Sequence, residues 1–155
     1  MIRSTPRTSD PAAAPTMPAQ RGTTPEPRAS TTRAVRSPIL RITIERPRIG
    51  LPLVRMTGEI DLSARERLDE LIRQRMTAAS LRALVIDLTG ITFCSSCGVE
   101  MLLHAQCRAD QRHVDLHVVP SAPVRRMLEL TGSLPLFELH TTTAHALATA
   151  HRGHR

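Results

Sequence analysis

Asp87-Leu88-Thr89-Gly90-Ile91-Thr92-Phe93-Cys94-Ser95-Ser96-Cys97-Gly98-Val99 is the stretch on which the fold turns. Just before it stands Ala83-Leu84-Val85-Ile86, a short apolar run that fits a strand buried on both faces. Helical spacing begins after it, from Gly98 to about Arg108. The stretch is therefore expected to join a buried strand to a helix, and in open α/β sheets that edge is where ligands and partners bind. Ser95 and Ser96 would turn their hydroxyls toward the free amides of the helix N-terminus. On spacing alone, either serine is simply the N-cap.

Upstream, Leu40, Ile42 and Ile44 alternate with Arg41, Thr43 and Glu45, the period of a half-buried strand. Pro47, Gly50 and Pro52 mark a turn, and Leu53 to Ile60 reads as a second strand antiparallel to the first. Ser63 and Glu66 have the spacing of a capping box. Behind them Ala64, Leu68, Leu71, Ile72 and Met76 form one apolar stripe, as an amphipathic helix requires. Downstream, Val114 to Val119 reads as a strand, and Ser121 with Pro123 opens a helix that Gly132 ends. Leu136 to Leu139 is expected to be a short edge strand, and Thr143 to cap a last helix running to Ala150. Helices alternating with strands after an opening hairpin imply a mixed sheet with helices packed on it.

Composition narrows the function classes. Residues 1–38 hold seven of the twelve prolines, with many Ala, Thr, Ser and Arg, and are expected to be a disordered tail. They also lack the apolar stretch of a secretion signal, and so many prolines make a poor amphipathic transit helix. The net charge is +7, of which the first 38 residues carry +4, residues 39–150 only +1 and a basic tail at 151–155 the remaining +2. With a nearly neutral body and only Phe93 and Phe137 as aromatics, a specific nucleic-acid surface is not expected. No apolar run is long enough to cross a bilayer, so no membrane association is expected. Three cysteines without a disulfide spacing suit a reducing, cytoplasmic setting.

The quoted stretch resembles the central motif of the anti-sigma-factor antagonists of the STAS domain family, a strand-ending Asp-Leu followed by a Phe-x-Asp-Ser-Ser-Gly-Leu turn. Asp87, Leu88, Phe93, Ser96, Gly98 and Val99 fall on matching or near-matching positions. Gly58-Glu59-Ile60-Asp61 resembles the family's strand-ending Gly-Glu-hydrophobic-Asp. Val124 through Leu130-Thr131-Gly132 and Phe137 resemble its closing helix and final strand. The resemblance implies an α/β domain over residues 39–150, a STAS-like mixed β-sheet of four to five strands with about four helices. It implies a bacterial regulator without catalytic residues, cofactor or metal. Such a protein binds an anti-sigma factor that is also a serine kinase, releases a sigma factor, and is reset by a PP2C-type phosphatase. Carried over, the phosphorylated residue is Ser96, with Ser95 as second choice, and the partner-binding residues are Asp61, Ser95, Ser96, Cys97, Gly98 and Val99. Two positions depart from the pattern: Ser95 stands for the family's aspartate and Cys97 for its second serine.

Other chemistries compete for the same residues. Cys94 and Cys97 form a Cys-x-x-Cys at a helix start, the placement of a thioredoxin-like oxidoreductase, but no Ile-Pro-Thr-like loop accompanies it. Cys94, Cys97, His104 and Cys107 number enough for zinc, yet a helix over 98–108 would carry the last two away from the first two. Glu59, Asp61 and Asp87 read as caps rather than an acid–base pair. His113, His117, His140, His145, His151 and His154 are scattered and read as surface or loop residues.

Overall fold

A computed structural model describes residues 39–153; the expected tail at 1–38, and His154 and Arg155, lie outside them. Strand β1 (Arg41–Arg48) and strand β2 (Leu51–Ile60) form the antiparallel hairpin, with Ile42 opposite Met56 and Ile44 opposite Val54. The turn needs Gly50. Its φ is +78°, and a Cβ there would stand 2.5 Å from the Ser80 carbonyl oxygen.

A one-turn 3-10 helix (Leu62–Ala64) leads into α1 (Arg65–Met76), whose Leu68, Ile72 and Met76 are buried as the apolar stripe predicts. The capping box does not form. Asp61 is the cap instead: its carboxylate accepts from the Ala64 amide at 3.2 Å and from the Ser63 hydroxyl at 2.6 Å. An aspartate placed before the turn outcompetes the serine, because its charged oxygens make the stronger acceptor.

Strand β3 runs from Ala83 to Cys94, far beyond the apolar run at its start. Its partner β4 (Asp115–Pro120) pairs only as far as Leu88. Beyond that point β3 continues beside β2 alone, through two register shifts, to Ile60 opposite Cys94. Gly90 permits the approach, since a Cβ there would lie 2.5 Å from Thr57 Cγ2. What the sequence presents as a connecting loop is thus a two-stranded extension of the sheet. Helix α2 (Ser96–Arg112) starts two residues earlier and ends four later than the spacing suggests.

After α3 (Ala122–Leu130), the edge strand β5 shrinks to Glu138–Leu139, and α4 spans Thr143–Arg152. Thr142, rather than Thr143, caps α4 by accepting from the His145 amide at 3.2 Å. The strand order is β1-β2-β3-β4-β5, antiparallel in the first pair and parallel in the rest. Four α-helices on a five-stranded mixed sheet match the expected architecture. One face carries the main core, in which Val54, Met56, Ile86 and Leu88 meet Leu68 and Ile72 of α1, Leu102 of α2 and Leu128 of α3. On the other face Leu53, Val85 and Val119 meet Ala146 and Ala150 of α4.

The histidines are not all at the surface. His117 and His140 are buried at 2% and 5% exposure, with ring centroids 5.1 Å apart. Period two places His117 on the α4 side of β4, where strand pairing forces the imidazole inward. Burial and the neighbouring His117 push the His140 imidazole below its ordinary value.

Candidate functional site

The extension of β2 and β3 brings the two likest motifs together. The Ser95 amide donates to the Ile60 carbonyl at 2.9 Å, and the Cys97 thiol donates to the Asp61 carbonyl at 2.9 Å. With its own proton committed there, the Cys97 sulfur accepts from the Ser95 hydroxyl at 2.8 Å. The end of β2 is thereby stapled to the first turn of α2. The Asp61 carboxyl lies below its ordinary value, held there by the Ser63 hydroxyl and, against the opposing effect of burial, by the Ala64 amide.

Ser96 is the first residue of α2, exposed, and outside this hydrogen-bonded staple. Ser95, at the N-cap position, is half-buried and makes no side-chain cap. Ser96 thus stands in the first turn of a 17-residue helix, where the Gly98 amide donates to the Ser95 carbonyl at 3.0 Å. Phe93, three residues before Ser96, and Leu62, directly after Asp61, are large apolar side chains left exposed, at 49% and 72%. One turn into α2, Glu100 is ion-paired with Arg65 at 3.1 Å. Cys97, Gly98 and Val99 lie buried beneath this surface. Gly98 fits only as glycine, because a Cβ would stand 2.5 Å from the Cys94 sulfur and 3.2 Å from Ile60 Cγ2. Leu62, an exposed leucine directly after Asp61 at the start of the 3-10 turn, is a residue that the sequence reading did not single out.

A small cleft of about 140 Å³ lies against Asp61, Ser63 and Ala64, and Ser95 and Ser96 do not line it. Two clefts of about 450 and 460 Å³ open at the other end of β2, beside Ile49 and Gly50, and neither includes a residue of 94–99. The geometry also speaks against the other chemistries. Burial, with Cys97 adding to it, pushes the Cys94 thiol up to about 11, the opposite of an activated redox thiolate. His104 is exposed and pairs with Asp69, and Cys107 is exposed on the same helix, so neither joins the buried cysteines. Asp87 is 2% exposed, accepts from the Thr89 amide (3.0 Å) and the Thr89 (2.7 Å) and Thr143 (2.8 Å) hydroxyls, and ion-pairs with Arg55. It ties β2, β3 and α4 together and has no lone pair free for acid–base work.

Comparison with known proteins agrees with this geometry. The family model described as Mlab, STAS domain matches residues 51–134, more than half of the chain. The anti-sigma-F factor antagonist RsfA of Mycobacterium tuberculosis is 29% identical over 98 residues, covering 62% of this chain and 77% of that protein. A crystal structure of an anti-sigma factor antagonist from Mycobacterium paratuberculosis superposes with a TM-score of 0.61 at 29% identity, over 73% of this chain and 95% of that one. The Bacillus cell fate determinant SpoIIAA, in its phosphorylated form, shares the fold at a TM-score of 0.58 and 18% identity, over 70% of this chain and 98% of that one. No helix among the described residues is long and apolar enough to cross a membrane. With its sheet order, its bulged β2–β3 extension and its matched central segment, this chain belongs to the STAS domain family.

Proposed function

We propose that this protein is an anti-sigma-factor antagonist: it binds an anti-sigma factor that is also a serine kinase, releases a sigma factor, and is switched off by phosphorylation at Ser96. The observation that carries this reading is the exposed Ser96 hydroxyl at the first position of α2, outside the hydrogen bonds that staple Ser95 and Cys97 to the end of β2. Similarity to RsfA and to the M. paratuberculosis antagonist supports the same reading. Phosphorylation adds about −1.5 to −2 charge. A helix N-terminus accommodates that charge, so the fold survives it. A partner surface matched to a neutral hydroxyl does not, since it must then desolvate a dianion.

Ser95 is the weaker phosphoacceptor. Its hydroxyl is half-buried and committed to the Cys97 sulfur. Asp61, capping the neighbouring turn, and Leu62 complete the docking surface, while Cys97, Gly98 and Val99 hold it from below. The protein acts in the cytoplasm, does no chemistry of its own, and is reset by a PP2C-type phosphatase.

The test is phosphorylation of the full chain by the anti-sigma kinases of its own genome, followed by intact mass. Wild type and Ser95→Ala should each gain one phosphate and Ser96→Ala none. Modification of Ser96→Ala but not of Ser95→Ala would move the switch to Ser95. Absence of phosphate on all three with every such kinase would leave a STAS domain without this regulation.

A further inference from the structure

The geometry points to a second, separate site: a zinc-type divalent metal ion held by His117 Nδ1, Glu138 Oε1 and His140 Nε2, clipping the two-residue strand β5 onto β4. These three atoms form a nearly equilateral triangle. The edges are 3.0 Å between the two imidazole nitrogens, 3.4 Å from His117 to Glu138 and 3.5 Å from His140 to Glu138. With bonds of about 2.0–2.2 Å to nitrogen and oxygen, neighbouring ligands of a tetrahedral zinc stand about 3.3–3.5 Å apart. The donors thus converge to within a few tenths of an ångström of the distances that the ion would impose.

The backbone sets this convergence. His117 faces Glu138 in the parallel β4–β5 register, and the His140 amide donates to the Val118 carbonyl at 2.9 Å. The imidazoles are also oriented as ligands. His140 Nδ1 lies 3.0 Å from Nδ1 of His145, in the first turn of α4. A proton on His140 Nδ1, donated to His145, leaves the Nε2 lone pair pointing into the triangle, the outer-shell arrangement usual for zinc histidines. His117 Nε2 is buried without a partner, and a proton there leaves Nδ1 as the lone pair facing the ion. Glu138 is half-exposed, which supplies the entry path and leaves the fourth position to water. Imidazole with carboxylate favours zinc over magnesium or calcium, which prefer all-oxygen ligands.

The experiment is titration of the chelator-treated full chain with Zn²⁺ by calorimetry and with Co²⁺ by absorption. One ion should bind per chain, and the cobalt spectrum should be tetrahedral without a thiolate charge-transfer band. Glu138→Gln, at a half-exposed position where folding is not at risk, should weaken binding at least tenfold. His145→Ala should weaken it roughly tenfold to a hundredfold, and His104→Ala should not change it. Zinc should raise the thermal midpoint of wild type and leave that of Glu138→Gln where it was. Wild-type affinity in Glu138→Gln, a thiolate band, weakening by His104→Ala, or no saturable binding would each overturn the site.

Discussion

A methyl group on Gly98 would have to displace the Cys94 sulfur, 2.5 Å from its Cβ position, or shift the start of α2 away from Ile60. Gly98→Ala should therefore cost about 1–3 kcal/mol in thermal or denaturant unfolding, the usual penalty for overpacking. Cys94→Ala in the same chain should restore part of the loss, and an unchanged midpoint in Gly98→Ala alone would contradict the packing described. Cys97 makes a different prediction, because its role is hydrogen bonding to Asp61 and Ser95. Replacement by Ser keeps the donor, whereas Ala forfeits about 1 kcal/mol. Cysteine reactivity checks the same residues. A buried thiol pushed up to about 11 stays protonated at neutral pH, so alkylation should reach the exposed Cys107 well before Cys94. Faster modification of Cys94 would revive the redox reading. These side chains were legible only in part. Phe93, Ser96 and Gly98 stood out by likeness, but nothing in the spacing revealed that Cys97 takes a serine's place by donating to the carbonyl of Asp61.

Elements with strong periodicity were readable: the Ile42 and Ile44 alternation, the α1 stripe, and the parallel strands that begin at Ala83 and near Val114. The reading stopped where tertiary contact decides the outcome. β3 continues to Cys94 because β2 offers it a partner through two register shifts, a pairing that Thr89, Gly90 and Thr92 do not advertise. The inward turn of His117 and His140 depends likewise on a two-residue strand that only register reveals. Asp87 joins three elements at once and carries a pH signature. Burial pushes its carboxyl up, but the Thr89 and Thr143 hydrogen bonds and the Arg55 charge outweigh it, so the folded value lies below the ordinary 3.8. A depressed folded value means that the stabilisation is complete above the unfolded value and fades as pH falls through the folded one. Asp87→Asn should therefore melt below wild type at pH 7, and the gap should narrow below about pH 3.8. A gap that is constant with pH would show that the charge contributes nothing.

For the whole molecule, the break in composition near residue 38 predicts that the STAS domain folds without what precedes it. Deleting residues 1–37 should leave the thermal midpoint within about 5 °C of the full chain, a shift worth on the order of 1 kcal/mol. A larger fall would place part of the domain upstream of Ile39. The switch itself is best measured as a pair of affinities. The anti-sigma factor should be titrated by calorimetry with the unmodified chain, then with the chain phosphorylated at Ser96 and verified by mass, both shown to be folded by circular dichroism. The phosphate should weaken binding by roughly a hundredfold or more, about 3 kcal/mol, with the melting curve of the domain intact. Equal affinity for the two forms would contradict the account.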